Sequence, residues 1–261
     1  MSRFKFSVSA AGCLAAVLAV SVAVSVPAAR AQAAAVDPAA VQILKKMTDY
    51  LGSLQTFSVH TRIDMEDLLE SGHMVDVDVA ASVTVSRPDK LRAERRGGLL
   101  EQEFYYDGKT LTLYNPSEGL YATEPAPAAI EGMLDVAREQ LGLVIPASDL
   151  LYRNAFALLM QDVTLAAVVG KAVIGGVVCD HLLFSRPGVD FQVWVAEADQ
   201  PLPYKYVVTD MQSPGHLSIG TVMSEWNTAP VVAASQFSFV PPEEAKAIIF
   251  MQLEPGSAAG R

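Results

Sequence analysis

Residues 75–86 read Val75-Asp76-Val77-Asp78-Val79-Ala80-Ala81-Ser82-Val83-Thr84-Val85-Ser86, with valine or alanine at every odd position and mostly Asp, Ser or Thr between them. Successive side chains of a strand point to opposite faces, so this stretch has one apolar and one wet side, the signature of a half-buried strand. The preceding stretch repeats the pattern: Phe57, Val59, Thr61, Ile63 and Met65 alternate with Ser58, His60, Arg62 and Asp64. Before it, Asp37-Pro38 places an N-cap and a first-turn proline ahead of Val41, Leu44, Thr48 and Leu51, which predicts a helix that ends near Gly52. Downstream, Asp107-Gly108 and Gly175-Gly176 are hairpin-turn pairs between strand patterns. Further strands are expected at 191–196, 204–209, 216–226 and 236–240, the last closed by Pro241-Pro242. Short strands joined by local turns predict an antiparallel meander.

Two helical patterns interrupt the strands between Pro127 and Asp162. In the first, Ile130, Met133, Leu134, Ala137 and Leu141 share one side, with Glu131, Asp135 and Arg138 on the other. The second starts at Ser148 or Asp149 and is apolar nearly all round through Leu150, Leu151, Tyr152, Ala155, Phe156, Ala157, Leu158, Leu159 and Met160. A helix without a polar face must be covered on most sides, so it is expected in the mouth of a curved sheet, where it lines an apolar cavity or simply fills the core. The fold class is mainly β with α (α+β), an antiparallel sheet with helices across its concave face.

The amino terminus combines Arg3 and Lys5, an uncharged stretch to Ala29 and the small-x-small site Ala29-Arg30-Ala31, which predicts a secretory signal over residues 1–31, cleaved rather than kept as an anchor. Residues 32–261 are then expected as one soluble domain. The formal charge is −10 at pH 7, and removing residues 1–31 takes away Arg3, Lys5 and Arg30 and no acid, so the chain becomes more acidic. An acidic field disfavours nucleic acid and anionic lipid surfaces as partners. Cys179 is the one cysteine left after cleavage, so stability is expected from a hydrophobic core rather than a disulfide.

Cys179-Asp180-His181 invites a catalytic reading, but strand alternation sends Asp180 away from the other two, so the three do not form a relay among themselves. Cys179 and His181 would supply only two metal ligands where structural zinc takes four, and neither Gly-x-Ser-x-Gly nor His-Glu-x-x-His occurs. No catalytic residue, metal or cofactor is expected. Lys90, Arg92, Arg95 and Arg96 form a basic cluster in which alternation places Lys90, Arg92 and Arg96 beside Glu94 on a solvated face. The sharper reading has Arg92 hydrogen-bonding a lid carbonyl or a lipid head group.

Ser86-Arg87-Pro88-Asp89-Lys90-Leu91-Arg92, followed by Tyr106-Asp107-Gly108-Lys109 through Tyr114-Asn115-Pro116, resembles the periplasmic lipoprotein carrier (LolA/LolB-like) superfamily. Later segments resemble a more particular family of predicted periplasmic proteins with that fold: Cys179-Asp180-His181-Leu182, Pro187 through Trp194, Pro201 through Lys205, Trp226 and Phe237 through Pro242. The resemblance implies an incomplete β-barrel in the periplasm. It implies a lid-linked role for Arg92, although Ala93 stands where carriers frequently have an aromatic residue. Expected cavity and lid residues are Arg92, Tyr106, Leu151, Phe156, Leu159 and Trp194. The leading expectation is a non-catalytic protein that holds a lipid, an acyl chain or a lipid-modified partner. The alternative is an envelope protein–protein interaction scaffold without a small ligand, and an enzyme built on Cys179 and His181 comes third.

Overall fold

The computed structural model describes residues 36–69, 71–97 and 100–250; the expected signal segment lies outside them. Helix α1 (Pro38–Ser53) begins as the sequence predicts, with Asp37 Oδ1 accepting from the Ala39 N–H at 2.8 Å. It buries Ala40, Leu44, Met47, Thr48 and Leu51. A first run of strands follows: β1 (Thr56–Leu68), β2 (Met74–Ser86), β3 (Lys90–Gly97), β4 (Leu100–Tyr106), β5 (Thr110–Asn115) and β6 (Leu120–Pro125). After α2 (Ile130–Glu139), a 3-10 turn at Ser148–Leu151 and α3 (Ala155–Met160), a second run comprises β7 (Leu165–Ile174), β8 (Val177–Arg186), β9 (Val189–Ala196), β10 (Pro203–Asp210) and β11 (Ser218–Asn227). The two-residue β12 (Lys246–Ala247) ends the series.

The strand order is β12-β6-β5-β4-β3-β2-β1-β11-β10-β9-β8-β7. All neighbours are antiparallel except β6 and β12, and β7 has a strand partner on one side only, its other edge meeting just the bridge from Val36 to Ala166, so the sheet is an open half-barrel. The expected antiparallel meander is built in two runs, β1–β6 and β7–β11, welded by the ladder of β1 on β11. The weld leaves β6 and β7 at opposite ends of the sheet. The chain between them therefore has to cross the whole sheet, and it does so over the face that carries the apolar side chains.

Three local expectations need correction. The apolar run Ser148–Met160 is not one helix, because the chain breaks at Tyr152–Asn154. There the Arg153 N–H donates to Glu131 Oε1 at 2.9 Å and the Tyr152 hydroxyl to Asp135 Oδ1 at 2.6 Å, tertiary contacts that outweigh helix propensity. Residues 236–240 are not a strand either. Ala234–Phe237 form a 3-10 turn, and the segment lies on the outer face of the sheet, where Phe239 meets Tyr105, Tyr114 and Tyr121 at centroid distances of 5.0–5.2 Å. The Asp107-Gly108 connection is longer than a two-residue turn, since Tyr106 pairs with Leu111. Asp107 Oδ1 accepts from the N–H groups of Lys109 and Thr110 at 3.0 and 2.9 Å. Gly175-Gly176 is the two-residue hairpin expected, with φ of 56° and 85° between paired Ile174 and Val177.

The core runs continuously beneath the cover, from Leu44, Met47 and Leu51 of α1 to Phe57, Val85 and Tyr106 of the first run and Phe184, Phe191 and Val193 of the second. Phe57 sits at the weld, fully buried, with its ring 5.8 Å from that of Trp226. Phe57→Ala is expected to cost about 3–5 kcal/mol, the usual range for a buried phenylalanine. Urea unfolding followed by tryptophan fluorescence and by far-ultraviolet dichroism should show one coincident transition at a lowered midpoint.

Candidate functional site

Strand alternation builds the site. Val59, Thr61 and Ile63 of β1, Val83 of β2, Phe104 of β4 and Met223 of β11 point to the concave face and form the floor of a cleft. Its cover is the crossing segment Leu143–Ala147 with Leu150 and Leu151, flanked by Leu51 of α1 and Leu134 of α2. A bulge in β11 sets two residues, Glu225 and Trp226, opposite the single Val59 of β1, and Glu225 has φ of 51°. The extra residue turns Trp226 to the same face as Met223, so both reach the cleft, and the indole N–H is spent on the Pro203 carbonyl at 3.0 Å.

The cleft encloses about 100 Å³. Apart from Trp226, its polar lining consists of Thr61, Thr221, Gln102 and Arg95, and Arg95 is the one charged residue among them. Arg95 Nε donates to Gln102 Oε1 at 2.7 Å and Nη1 to the Val144 carbonyl at 3.2 Å, which fastens the crossing segment to β3. Both acceptors are neutral, and among the described residues no carboxylate pairs with Arg95. Burial pushes the Arg95 pKa below its ordinary value, the mark of a cation short of compensating charge.

The residues expected from sequence are dispersed. Leu151 lines the cleft. Arg92 lies on the opposite, outer face, where Nη2 is 2.8 Å from Glu94 Oε1 and 2.9 Å from Glu103 Oε2, so it is self-paired as the plainer reading has it, but largely buried rather than solvated. The lid-carbonyl contact expected of Arg92 is made by Arg95, three residues on and therefore on the other face. Leu91, Ala93 and Arg95 alternate toward the cleft, a pattern in the sequence that would have found it. Leu159 is buried in the core, and Phe156 packs against that core with Lys45 Nζ 5.4 Å from its ring. Trp194 stacks on the outer face between His181, 4.0 Å away, and Lys205 Nζ, 4.9 Å away. Tyr106 is buried, and its hydroxyl donates to the Pro127 carbonyl, tying the lead-in of α2 to the sheet.

Cys179 and His181 do not act on each other. The thiol is buried and its pKa raised by desolvation, His181 Nε2 pairs with Gln192 Oε1 at 2.8 Å, and Asp180 pairs with Lys171 Nζ at 3.1 Å. Among the described residues no group of three His, Cys, Asp or Glu side chains is placed to hold a metal ion, and no helix is long and apolar enough to cross a membrane.

A family model described as predicted periplasmic protein (DUF2092) matches residues 40–251, most of the chain. The chain belongs to that family. The family description agrees with the periplasmic location read from the amino terminus. No curated protein matches the chain. Among solved structures, an uncharacterized conserved protein from Thermus thermophilus is similar at 12% identity and TM-score 0.48, covering 81% of this chain and 99% of that one. The Mycobacterium tuberculosis lipoprotein LppX is similar at 16% identity and TM-score 0.44, over 75% of this chain and 98% of that one. The Pseudomonas aeruginosa MucA/MucB complex is similar at 14% identity and TM-score 0.44, over 80% of this chain and 63% of that one.

Burial pushes the Tyr106 pKa from its ordinary 10 up to about 12. The folded state then holds the Tyr106 proton more tightly than the unfolded chain, so its contribution to stability is complete below pH about 10 and is lost as pH rises toward about 12. Urea midpoints across that window should fall with pH in this DUF2092 protein, and Tyr106→Phe should flatten the fall. The same variant should cost about 0.5–1.5 kcal/mol at neutral pH, because it removes the hydrogen bond that the Tyr106 hydroxyl donates to the Pro127 carbonyl.

Proposed function

We propose that this protein is a non-catalytic periplasmic binder of a single-chain anionic amphiphile, with the acyl chain in the apolar cleft and the acidic head group at Arg95. One observation carries the reading: a cleft with apolar walls has a single charged lining residue, and that guanidinium has only neutral partners among the described residues. Apolar surface drives the chain in, at about 25 cal/mol per Å² buried. A carboxylate or phosphate supplies Arg95 with the counter-charge it lacks and makes charge-assisted hydrogen bonds.

Size adds a condition. The cleft encloses about 100 Å³, less than the roughly 150 Å³ of an engineered cavity that takes benzene. A chain of any length enters only if the segment Leu143–Ala147 lifts, and Gly142 and Ala147 bracket its movable part with φ of 62° and 59°. Lifting breaks the Arg95–Val144 contact and frees the same donor for the ligand head. The latch and the head-group site are then one side chain in two states.

Oleate and oleyl alcohol separate the terms, because they share a chain and differ in the head. Titration calorimetry is expected to show oleate binding at least tenfold tighter, in line with the roughly 1.5–3 kcal/mol of a hydrogen bond to a charged group. Arg95→Gln should remove the preference, and Val83→Phe, which fills the cleft, should abolish both. Absence of oleate binding, or equal affinity for the two, overturns the reading.

A second reading, docking of an envelope protein, is favoured by the β7 edge, where Val168, Val169 and Val173 and the adjacent Val178 are 37–66% exposed. An unpaired apolar edge is a template for another strand. Val173→Lys should release a protein that co-purifies through that edge, and Val83→Phe should leave it in place.

A further inference from the structure

The outer face of the sheet carries a second cavity, separate from the apolar cleft and opposite to it in character. Ser82 and Thr84 of β2, Arg92 and Glu94 of β3, and the ring of Tyr105 form its floor. Its wall is the carboxy-terminal segment that crosses this face, through Ser235, Gln236, Ser238 and Val240. The segment is fixed at both sides of Ser238, by the buried Phe237 and by Phe239 among three tyrosine rings. The crevice holds about 420 Å³, inside the roughly 300–1,000 Å³ usual for small-molecule sites.

The chemistry of the walls narrows the ligand. Arg92 is clamped by Glu94 and Glu103 at 2.8 and 2.9 Å and stacks on Tyr105 with its guanidinium carbon 3.6 Å from the ring centroid. Its charge is more than balanced by two carboxylates, so an anion gains nothing here. An amphiphile or an apolar peptide side chain finds no anchor, because Val240 is the single aliphatic group in the lining and Arg92 covers a face of Tyr105. What the crevice offers is uncommitted hydrogen bonding. The hydroxyls of Ser82, Thr84, Ser235 and Ser238 have no partner among the described residues. Glu94 uses one carboxylate oxygen on Arg92, Gln236 uses only its carbonyl oxygen on the Ala233 N–H at 3.0 Å, and Arg92 Nη1 is a donor without an acceptor among those residues.

We propose that this crevice is a binding site for a neutral saccharide. A sugar hydroxyl both donates and accepts, so one ring can give a proton to the Glu94 carboxylate while accepting from serine and threonine hydroxyls and the Gln236 amide. A ligand with hydroxyls around its whole rim suits walls with many hydrogen-bonding groups and a single aliphatic one. The mounting of Ser238 between two packed phenylalanines keeps the wall in place before binding, which lowers the ordering cost.

The test uses the full exported chain labelled with nitrogen-15 and titrated with maltotriose and, separately, with the N-acetylglucosamine trimer. At least one trimer should move the Ser82, Thr84 and Ser238 amide resonances saturably. Glu94→Gln should weaken that binding about tenfold, the typical worth of a hydrogen bond to a charged group. Ser238→Val is a second, independently folded check, and a thermal melt confirms that each variant is intact. Co-sedimentation with insoluble cell-wall glycan tells a polymeric source from a free sugar, and binding in either form supports the site. Unmoved resonances at millimolar concentrations of both trimers overturn the proposal, as does binding that both variants retain in full. Oleate binding, measured on the same preparation, stands or falls separately.

Discussion

The pairing of β1 with β11 is the constraint on which the architecture depends. Each run of strands is a local meander that hairpin geometry can build alone. Joining them through their first and last members puts the free ends of the runs at opposite sides of one sheet. A single connection then has to span that sheet, and it carries enough leucine, isoleucine and alanine to lie on the apolar face. The cover of the cleft is thus a product of strand order as much as of helix formation. The cleft is what remains where that connection narrows to the irregular segment Leu143–Ala147.

Alternation along β3 separates the two faces functionally. Arg92 and Arg95 lie in one strand, close in sequence, yet meet different electrostatic surroundings. Arg92 looks outward to two carboxylates. Arg95 looks inward to an amide and a backbone carbonyl. A guanidinium with ionic partners is a structural element, whereas one with neutral partners retains attraction for a charge from outside. The same strand therefore contributes a neutralised cation to a polar crevice and an uncompensated one to an apolar cleft.

Much of the sheet was legible because its strands are half-buried, so the period of two in Phe57–Met65 and Val75–Ser86 appears directly in the residues. The helix cap at Asp37 and the hairpin at Gly175-Gly176 were equally plain, since each depends on local chemistry. The weld of β1 to β11 was not legible, because nothing within either strand names a partner so distant in the chain. The break at Tyr152–Asn154 was hidden for a related reason: its cause lies in Glu131 and Asp135 of another helix. At the site, the apolar character of residues 148–160 pointed to the right face but to the wrong lining. Leu151 reaches the cleft, while Phe156 and Leu159 belong to packing. Placing the lid contact at Arg92 followed the motif; the face pattern of Leu91, Ala93 and Arg95 pointed to Arg95, which makes it.

The weld also sets a timetable for the chain. Residues 58–65 find their partners at 219–227, so that ladder closes only after nearly the whole domain has emerged. Contacts of such long sequence separation form late, since loop-closure entropy opposes them until neighbouring structure has shortened the effective loop. Until then β1 presents an unpaired edge and the crossing segment has only half a floor to lie on. A chain delivered across a membrane amino terminus first must wait in that unfinished state, with apolar surface uncovered. Slow maturation is a consequence of joining the last strand to the first.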